Sequence, residues 1–260
     1  MASSPSPAND DAQAALQPGS SDVPIALVTG ASRGIGYSVG KVLAERGFHV
    51  VAVARTVGGL EELDDEIKAA GGSATLVPLD LRDFDAIDNL GLALFQRFGR
   101  VDALVGNAAS FGTATPLSHL KPTVFSEVFD VNVVANYRLL RSIDPLLRRS
   151  EAGRAVFLTS DFAAQNKPFF GQYAASKAAL NAAVLTYAAE IANSRIRCNL
   201  FDPGPVRTAL RGRAFPGEDP GGLKMPSDVA SYIVQLCMPE TAINGALLTA
   251  DSELFDKAAP

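Results

Sequence analysis

Residues 25–36 read IALVTGASRGIG, and this stretch decides the fold class. Its apolar first half predicts a buried strand, and a helical pattern follows from Ile35 to Arg46. The turn between them holds Gly30, Gly34 and Gly36. Glycine permits positive φ and close approach of the backbone to a ligand, and the free N–H groups at a helix start bind phosphate. A glycine loop in this context predicts a dinucleotide site.

The same alternation of short apolar runs and amphipathic runs continues along the chain. Further strands, apolar throughout, are predicted at 50–54, 74–79, 103–107, 155–159, 195–201 and 246–250. Helical patterns include 61–67, 86–98, 122–147 and 227–237, and one helix begins in GQYAASKAAL. Strands buried on both faces indicate a parallel sheet covered by helices. A seven-stranded, doubly wound Rossmann-type α/β sheet is favoured over a closed barrel, as a single domain over residues 24–256.

Composition and charge narrow the classes of partner. The net charge is −5, and no run of Lys and Arg forms a basic patch, which argues against nucleic acid and anionic membranes. Residues 1–23 lack Lys, Arg and a long apolar run, so they are interpreted as a disordered tail and not as a targeting segment. No apolar stretch approaches the roughly 20 residues that span a membrane. We therefore expect a cytoplasmic protein without a membrane partner.

The cysteines and histidines predict no metal site. Cys198 and Cys237 sit in apolar stretches and are expected to be reduced core residues. His49 and His119 are isolated and show no spacing that suits metal ligands.

The end of the second strand bears on the choice of cofactor. Many NAD-binding folds place an acidic residue there for the adenine ribose, whereas this chain has Arg55. Arg33 lies in the glycine loop itself. Two guanidinium groups near the ribose 2′ position suit a phosphate and favour NADP over NAD. Either arginine alone is also compatible with an ordinary solvated surface.

One helical row carries a tyrosine and a lysine on a face that is otherwise apolar. The row consists of Tyr173, Lys177, Leu180, Val184, Ala188 and Ile191. Because a buried ammonium without a partner is costly, this end of the helix is expected to border a pocket. An ammonium near a phenol lowers its pKa from about 10 and suits it to general acid–base catalysis.

Taken together, these motifs resemble the short-chain dehydrogenase/reductase family along essentially the whole chain after the tail. The family's T-G-x-x-x-G-x-G loop matches Thr29 to Gly36, and its Y-x-x-x-K pair matches Tyr173 and Lys177. The remaining matches are Asp80, Asn132, Ser160, and the P-G-x-x-x-T segment with Pro203, Gly204 and Thr208. The stretch RTALRGRAFPGEDP further resembles a bacterial subgroup, the YciK-like oxidoreductases.

The resemblance implies a role for each matched residue. Tyr173 exchanges a proton with the substrate oxygen, Ser160 hydrogen-bonds that oxygen, Lys177 lowers the pKa of Tyr173 and holds the nicotinamide ribose, and Asn132 fixes a water that relays protons. Asp80 and Leu81 flank the adenine. The implied cofactor contacts are completed by Gly30, Ser32, Arg33, Gly34, Ile35, Gly36, Arg55, Asn107, Ala108, Pro203, Gly204, Val206 and Thr208. Ser160 and Asp80 also suit plain helix caps.

The chain departs from the family pattern in two segments. The usual N-N-A-G after the fourth strand is replaced by residues 106–109, GNAA, with one asparagine and the glycine missing. The usual V-D-G-G near the C-terminus is replaced by residues 249–252, TADS. Because the second segment often supports subunit contacts, it bears on the expected homodimer or homotetramer. Small residues at Ala175, Ala179 and Ala182 would allow close packing of another subunit's helix.

The predicted function is NADP(H)-dependent hydride transfer between a nicotinamide and a small carbonyl or alcohol compound. The alternatives are a non-catalytic NADP-binding sensor on the same fold and a methyltransferase. The second is disfavoured by Arg55, where an acid is expected. The predicted substrate wall comprises Ser110, Phe111, Phe162, Phe169 and Phe170, with residues 206–225 as a lid. Apolar or aromatic substrates suit the phenylalanines, whereas Arg207, Arg211 and Arg213 suit an anion, and the role of Asp161 stays open.

Overall fold

A computed structural model describes residues 21–165 and 167–256. Most of the tail predicted for residues 1–23 lies outside this range. The described strands are β1 (Ile25–Thr29), β2 (His49–Ala54), β3 (Ser73–Pro78), β4 (Ala103–Gly106), β5 (Arg154–Leu158), β6 (Arg197–Asp202) and β7 (Leu247–Thr249). They form one parallel sheet in the order β3-β2-β1-β4-β5-β6-β7. The predicted doubly wound fold with seven strands is confirmed.

Helices connect the strands and cover both faces of the sheet. The α-helices are α1 (Gly34–Glu45), α2 (Val57–Ala69), α3 (Phe84–Phe98), α4 (Pro122–Phe129), α5 (Ala135–Leu147), α6 (Gly171–Glu190), α7 (Ala209–Ala214), α8 (Pro226–Cys237) and α9 (Glu253–Asp256). Short 3₁₀ turns occupy Leu117–His119, Asp161–Ala163 and Pro220–Gly222.

Alternate residues of each strand face two separate cores. In β1, Ala26 and Val28 pack beneath α1, α2 and α8, whereas Ile25 and Leu27 pack beneath α3, α5 and α6. All five residues of the strand are buried. This explains the apolar strand sequences, because a side chain on either face of a central parallel strand is removed from water.

The chain reverses direction across the sheet between β3 and β4. After β3 it returns to the other side of β1, so that β1 has both β2 and β4 as neighbours. The connections that leave the carboxyl ends of β1 and β4 therefore run to opposite faces of the sheet. Such a switch point opens a crevice for ligands at the carboxyl edge of a doubly wound sheet.

The predicted helix over 122–147 is continuous but not uniform. α4 passes into a π-helical turn, Asp130–Val134, before α5 begins. The sequence pattern did not predict this turn, which holds the buried Asn132. An extra residue in one turn rotates the side chains on either side of it, and such turns often occur at functional sites.

The described part of the chain contains no helix long and apolar enough to cross a membrane. Over the same residues, no group of three or more His, Cys, Asp or Glu could hold a metal ion. Cys198 and Cys237 are both buried and unbridged, and burial raises the pKa of each thiol. Their side chains are therefore inert components of the core.

Candidate active site

The glycine loop lies at the carboxyl end of β1, where α1 begins. Gly30 and Gly34 have φ of 67° and 60°, a region that favours glycine. A Cβ added to Gly36 would lie 2.5 Å from both the Gly30 oxygen and the Asn107 Nδ2 atom. The loop is thus folded back on itself, with no room for a side chain at Gly36. The first N–H groups of α1 are left for a ligand.

Asn107 holds the glycine loop from the end of β4. Its Nδ2 donates to the carbonyl oxygens of Thr29, at 2.8 Å, and Gly30, at 3.3 Å. Its backbone N–H donates to the Thr29 hydroxyl at 3.1 Å. The one asparagine that remains of the family's pair therefore ties β4 to β1. Asn107 still borders the cavity described below.

Three arginines surround the neighbouring end of the crevice. Arg55 follows β2 and Arg33 precedes α1, and both side chains border the cavity. Arg82, which sequence reasoning missed, donates to the Asp80 carboxylate at 2.9 Å, and Arg55 lies 3.9 Å from the same carboxylate. The hydrogen bonds from Arg82 hold the pKa of Asp80 below its usual value, and the charge of Arg55 adds to this. Asp80 is not the cap of α3, because Asp83 accepts the Ala86 N–H there.

The predicted inward row of α6 is confirmed. Tyr173 and Lys177 are 8% and 2% exposed, and the four apolar residues that continue the row are also buried. Tyr173, Lys177 and Ser160 all border the same cavity. The 3.6-residue period of the helix places Tyr173 and Lys177 together, and β5 carries Ser160 to the same edge.

Lys177 is a fully buried ammonium whose described hydrogen bond goes to the backbone. Its Nζ donates to the Leu158 carbonyl oxygen at 2.7 Å. Burial lowers the pKa of Lys177 from its usual value to about 8, against a smaller opposing effect of the Asp202 carboxylate. Lys177 therefore loses its proton at a lower pH than an exposed lysine does.

The pKa of Tyr173 differs from the sequence expectation. Burial raises it above the usual value of 10, the charges of Asp202 and Asp161 raise it further, and hydrogen bonding with Ser160 acts in the opposite direction. The expected lowering by Lys177 is not seen, although its Nζ lies 5.8 Å from the centroid of the Tyr173 ring, because the lysine loses its proton at a lower pH than the buried phenol does. In this arrangement the phenol stays protonated.

The Ser160 hydroxyl accepts one hydrogen bond and donates another. The oxygen accepts from the Phe162 N–H at 3.4 Å, so Ser160 does cap the short 3₁₀ turn. The hydroxyl also donates to the Asp161 carboxylate at 3.1 Å, and Gln165 donates to the other oxygen of that carboxylate at 2.8 Å. The capping and the active-site interpretations of Ser160 are compatible.

Asn132 lies behind the cavity wall and forms hydrogen bonds with two segments of the chain. Its Oδ1 accepts from the Ser110 N–H at 2.7 Å, and its Nδ2 donates to the Ser110 carbonyl and the Ser176 hydroxyl, both at 2.9 Å. Ser176 in turn donates to the Tyr173 carbonyl. Asn132 is fully buried and does not line the cavity. Its side chain therefore connects the loop after β4 to α6.

Aromatic rings from three segments form the wall beside Tyr173. Phe162 and Phe170 stack with centroids 4.9 Å apart, and Phe111 lies 5.7 Å from the Tyr173 ring. Phe215, which sequence reasoning missed, stacks on Phe170 at 5.2 Å. Phe169 was predicted to belong to this wall, but it has a φ of 71°, is 54% exposed and does not line the cavity. The left-handed backbone turns its ring outward.

The two ends of the predicted lid, residues 206–225, are joined by backbone pairing. The Arg207 N–H donates to the Lys224 carbonyl at 2.9 Å, and Val206 pairs with Lys224 as an isolated parallel bridge. Within the lid, Arg211 donates to Glu218 at 2.6 and 2.5 Å, and its guanidinium lies 3.8 Å from the centroid of the Phe215 ring. Arg211 is therefore an internal brace of the lid.

A single large cavity of about 910 Å³ joins these parts. Gly36, Asn132 and Phe169 lie outside its lining. The predicted site residues that line it are Gly30, Ser32, Arg33, Gly34, Ile35, Arg55, Asp80, Leu81, Asn107, Ala108, Ser110, Phe111, Ser160, Phe162, Phe170, Tyr173, Lys177, Pro203, Gly204, Val206 and Thr208. The buried Asp202 also lines it. Only the position of Asp202 at the carboxyl end of a predicted strand could have indicated it from the sequence.

The residues present fit a dinucleotide. The cavity runs from the glycine loop and the arginines at one end to Ser160, Tyr173 and Lys177 at the other. The glycine loop accepts no Cβ at Gly36, and the N-terminus of α1 and the nearby guanidinium groups suit phosphates. Ser160, Tyr173 and Lys177 are thus separated from the glycine loop and the arginines, an arrangement that suits a molecule with two halves.

Comparisons with known proteins give the same assignment. The family model described as short chain dehydrogenase matches residues 24–219. The oxidoreductase YciK of Escherichia coli is 36% identical over 208 residues, which cover 79% of this chain and 82% of that protein. A short chain dehydrogenase from Escherichia coli complexed with NADPH superposes with a TM-score of 0.83 at 33% identity, over 91% of this chain and 99% of that one.

A second solved structure extends the comparison. A short chain dehydrogenase from Shigella flexneri complexed with NADP has a TM-score of 0.84 at 32% identity, and the match covers 91% of this chain and all of that chain. In this chain the glycine loop lies at the switch point of the sheet, and the serine, the tyrosine and the lysine lie at one end of the cavity. A family match over most of the chain accompanies these features. The protein belongs to the short-chain dehydrogenase family and is an oxidoreductase.

Proposed function

We propose that the protein transfers hydride between NADPH and an apolar or aromatic carbonyl compound, and in the reverse direction oxidises the alcohol. The proposal rests on one observation: Ser160, Tyr173 and Lys177 meet at one end of the cavity that starts at the glycine loop. A protein that only sensed the nucleotide would have no need for this constellation.

In the mechanism that we propose, the chain positions the substrate and moves one proton. The bound dinucleotide would supply or accept the hydride. Tyr173, kept protonated by its surroundings, donates its phenol proton to the carbonyl oxygen as negative charge develops there. Ser160 turns its hydroxyl from Asp161 toward that oxygen and stabilises it. Lys177 favours the resulting phenolate when its ammonium is charged, and the aromatic wall excludes water.

NADP is the preferred cofactor in this proposal. Arg55 and Arg33 border the cavity, and the end of β2 carries no carboxylate to bind an unphosphorylated ribose. Two relatives, of 33% and 32% identity, have been solved with NADPH and with NADP. Asp80 keeps Arg82 and Arg55 near this end of the cavity.

The substrate class follows from the wall beside Tyr173. Phe111, Phe162, Phe170 and Phe215 form a cluster with Tyr173, and aromatic rings favour flat apolar partners. Of the lid arginines, Arg211 is neutralised by Glu218. This pairing weakens the case for an anionic substrate, because only Arg207 and Arg213 of the lid arginines then remain at the cavity border to bind one.

The test is Tyr173→Phe, assayed with a panel of carbonyls and alcohols and with both nicotinamide cofactors. Turnover should fall by about 10²–10⁴-fold, because the proton donor is lost, while NADPH still binds. Tyr137→Phe is the matched control, since Tyr137 is exposed and does not line the cavity. Unchanged turnover in Tyr173→Phe would refute the mechanism. Tight NADPH binding by the wild-type protein without turnover of any compound would support the sensor alternative.

Assembly and location stay predictions. We propose a homodimer or homotetramer in which α6 packs against another subunit, because Ala175 and Ala182 are exposed small residues on its outer face and Ala179 is half-buried. A monomer by light scattering at working concentration would contradict this. The predicted cytoplasmic location is testable by cell fractionation.

A further inference from the structure

Gln172 is a fully buried residue next to Tyr173 in the first turn of α6. Its Nε2 donates to the carbonyl oxygens of Phe111, at 3.2 Å, and Thr113, at 2.6 Å. In the part of the chain that the structure describes, its Oε1 has no hydrogen-bond partner. The orientation of the amide is fixed, because only its NH2 group can donate to two carbonyls. The side chain is therefore committed to the loop that follows β4.

This loop, residues 111–113, lies tightly between α4 and α6. Gly112 has a φ of 75°, and a Cβ added there would lie 2.8 Å from Val128 Cγ2 and 3.2 Å from Gln172 Nε2. Hydrogen bonds of Asn132 fix the residue just before the loop. Two buried amides thus hold neighbouring backbone positions, and any displacement of the loop breaks some of these bonds.

The ring of Phe111 is the part of this loop that borders the cavity. It is 3% exposed, and its centroid lies 5.7 Å from that of Tyr173 and 5.4 Å from that of Phe170. Gln172 itself does not line the cavity. Because Gln172 binds the carbonyl of Phe111, it fixes the backbone that carries this ring, and α6 carries both Gln172 and Tyr173. The position of the Phe111 ring relative to Tyr173 therefore depends on Gln172.

We propose that Gln172 is a positioning residue that limits the size of the carbonyl compound beside Tyr173: it holds the Phe111 ring at a fixed distance from the phenol and does not touch the substrate. This inference rests on the proposed function and adds a size limit to its substrate class. A carbonyl whose oxygen reaches Tyr173 places one substituent against the Phe111 ring. A ring that is held in place rejects a substituent one or two methylenes longer, whereas a ring that can move makes room for it.

The test compares kcat/KM for methyl phenyl ketone and propyl phenyl ketone, with NADPH, in the wild-type protein and in Gln172→Met. Methionine keeps the length of the side chain but has no donor, so the loop is released. The wild-type preference for the methyl ketone should narrow by roughly 5–10-fold, chiefly through a lower KM for the propyl ketone. NADPH binding, measured by fluorescence, should stay unchanged. Gln96→Met changes an exposed glutamine on α3 and should leave the preference unchanged.

Two further variants connect the amide to the ring. Gln172→Glu keeps the shape of the side chain and, protonated because it is buried, retains one donor. Its preference should lie between those of the wild-type protein and Gln172→Met, and it tests the proposal if methionine prevents folding. Phe111→Leu should narrow the preference by itself. Adding Gln172→Met to Phe111→Leu should then change the preference little, because the amide acts through this ring.

The outcomes separate the two proposals. A wild-type protein that does not prefer the methyl ketone, or an unchanged preference in the Gln172 variants, would overturn the role of Gln172 alone. Rates lowered by the same factor for both ketones would also overturn it, because that is the signature of a structural defect. Fully additive effects of Gln172→Met and Phe111→Leu would show that the amide does not act through the ring. Absence of wild-type turnover with every carbonyl and alcohol would overturn the proposed function, and this inference with it.

Discussion

Lys177 shows how a single residue can serve the site at the expense of stability. The row on α6 predicted that it would be buried, because helical periodicity fixes the face on which a side chain lies. The periodicity could not predict where its Nζ would point. That depends on the Leu158 carbonyl, which belongs to a strand far away in the sequence.

Lys177→Met should reveal this stability cost as a pH-dependent difference in the free energy of unfolding. A pKa lowered from 10.5 to about 8 corresponds to roughly 3 kcal/mol of destabilisation, which is fully present below pH 8, where folded and unfolded chains both hold the proton. As pH rises from about 8 to 10.5, only the unfolded chain keeps the proton, so the wild-type protein gains stability.

Urea unfolding near neutral pH and again near pH 10 measures this difference. Relative to the wild-type protein, the variant should be more stable near neutral pH than near pH 10. The unpaired Leu158 carbonyl reduces the stability that the variant gains. Lys121→Met changes an exposed lysine in the same way and provides the control. A stability difference that stays constant with pH would contradict the burial argument.

Arg55→Asp tests the proposed role of Arg55 in cofactor preference. An acid at this position should repel a 2′-phosphate and accept ribose hydroxyls, so NADPH binding should weaken by roughly 10–100-fold while NADH binding changes little. Fluorescence titration of both reduced nucleotides measures this. Arg141→Asp makes the same charge change on α5, outside the cavity lining. Equal losses for NADPH and NADH would mean that Arg55 does not contact the phosphate.

At the scale of elements, sequence patterns located helices and strands but not their irregularities. The run over 122–147 was predicted as one helix, and it contains the π-helical turn that holds Asn132. The wall residue Phe169 was placed wrongly for the same kind of reason. Its backbone conformation depends on the turn before α6, which carries no periodic pattern.

The lid is the element whose brace can be tested. Arg211→Met and Glu218→Gln each break the ion pair that holds Arg211 over Phe215, so each should raise KM several-fold with a smaller effect on kcat. The double variant should be little worse than either single one, because the two side chains act as a unit. Lys68→Met removes an exposed ion pair on α2 and is the control. Fully additive losses would show that the two side chains act independently.

At the scale of the whole molecule, the parallel doubly wound sheet follows from the sequence because it depends on repeated βα units and the first glycine turn. The contact that holds β5 to the segment after α8 could not be predicted from the sequence. Arg154 of β5 is 5% exposed and donates to the carbonyl oxygens of Gly153, Arg195, Met238 and Pro239. It connects a central strand to the segment that follows α8.

Arg154→Met should destabilise the whole fold. Several buried carbonyls lose their donor at once, and the expected loss is about 2–4 kcal/mol in the free energy of unfolding. The midpoint of urea unfolding measures this. Arg195→Met, which breaks an exposed pair with Glu151, should change the free energy of unfolding by less than about 1 kcal/mol. A loss no larger than in this control would show that water replaces the guanidinium.

The crossing of the chain between β3 and β4 has a consequence for how the molecule becomes complete. The phosphate-binding loop belongs to the first fifty residues of the sequence, whereas Asp202 and the lid come from its last third. Neither the early nor the late part of the nascent chain can form the cavity by itself. A dinucleotide that contacts both parts would therefore bind only after the two have folded together, and would protect both parts against local unfolding.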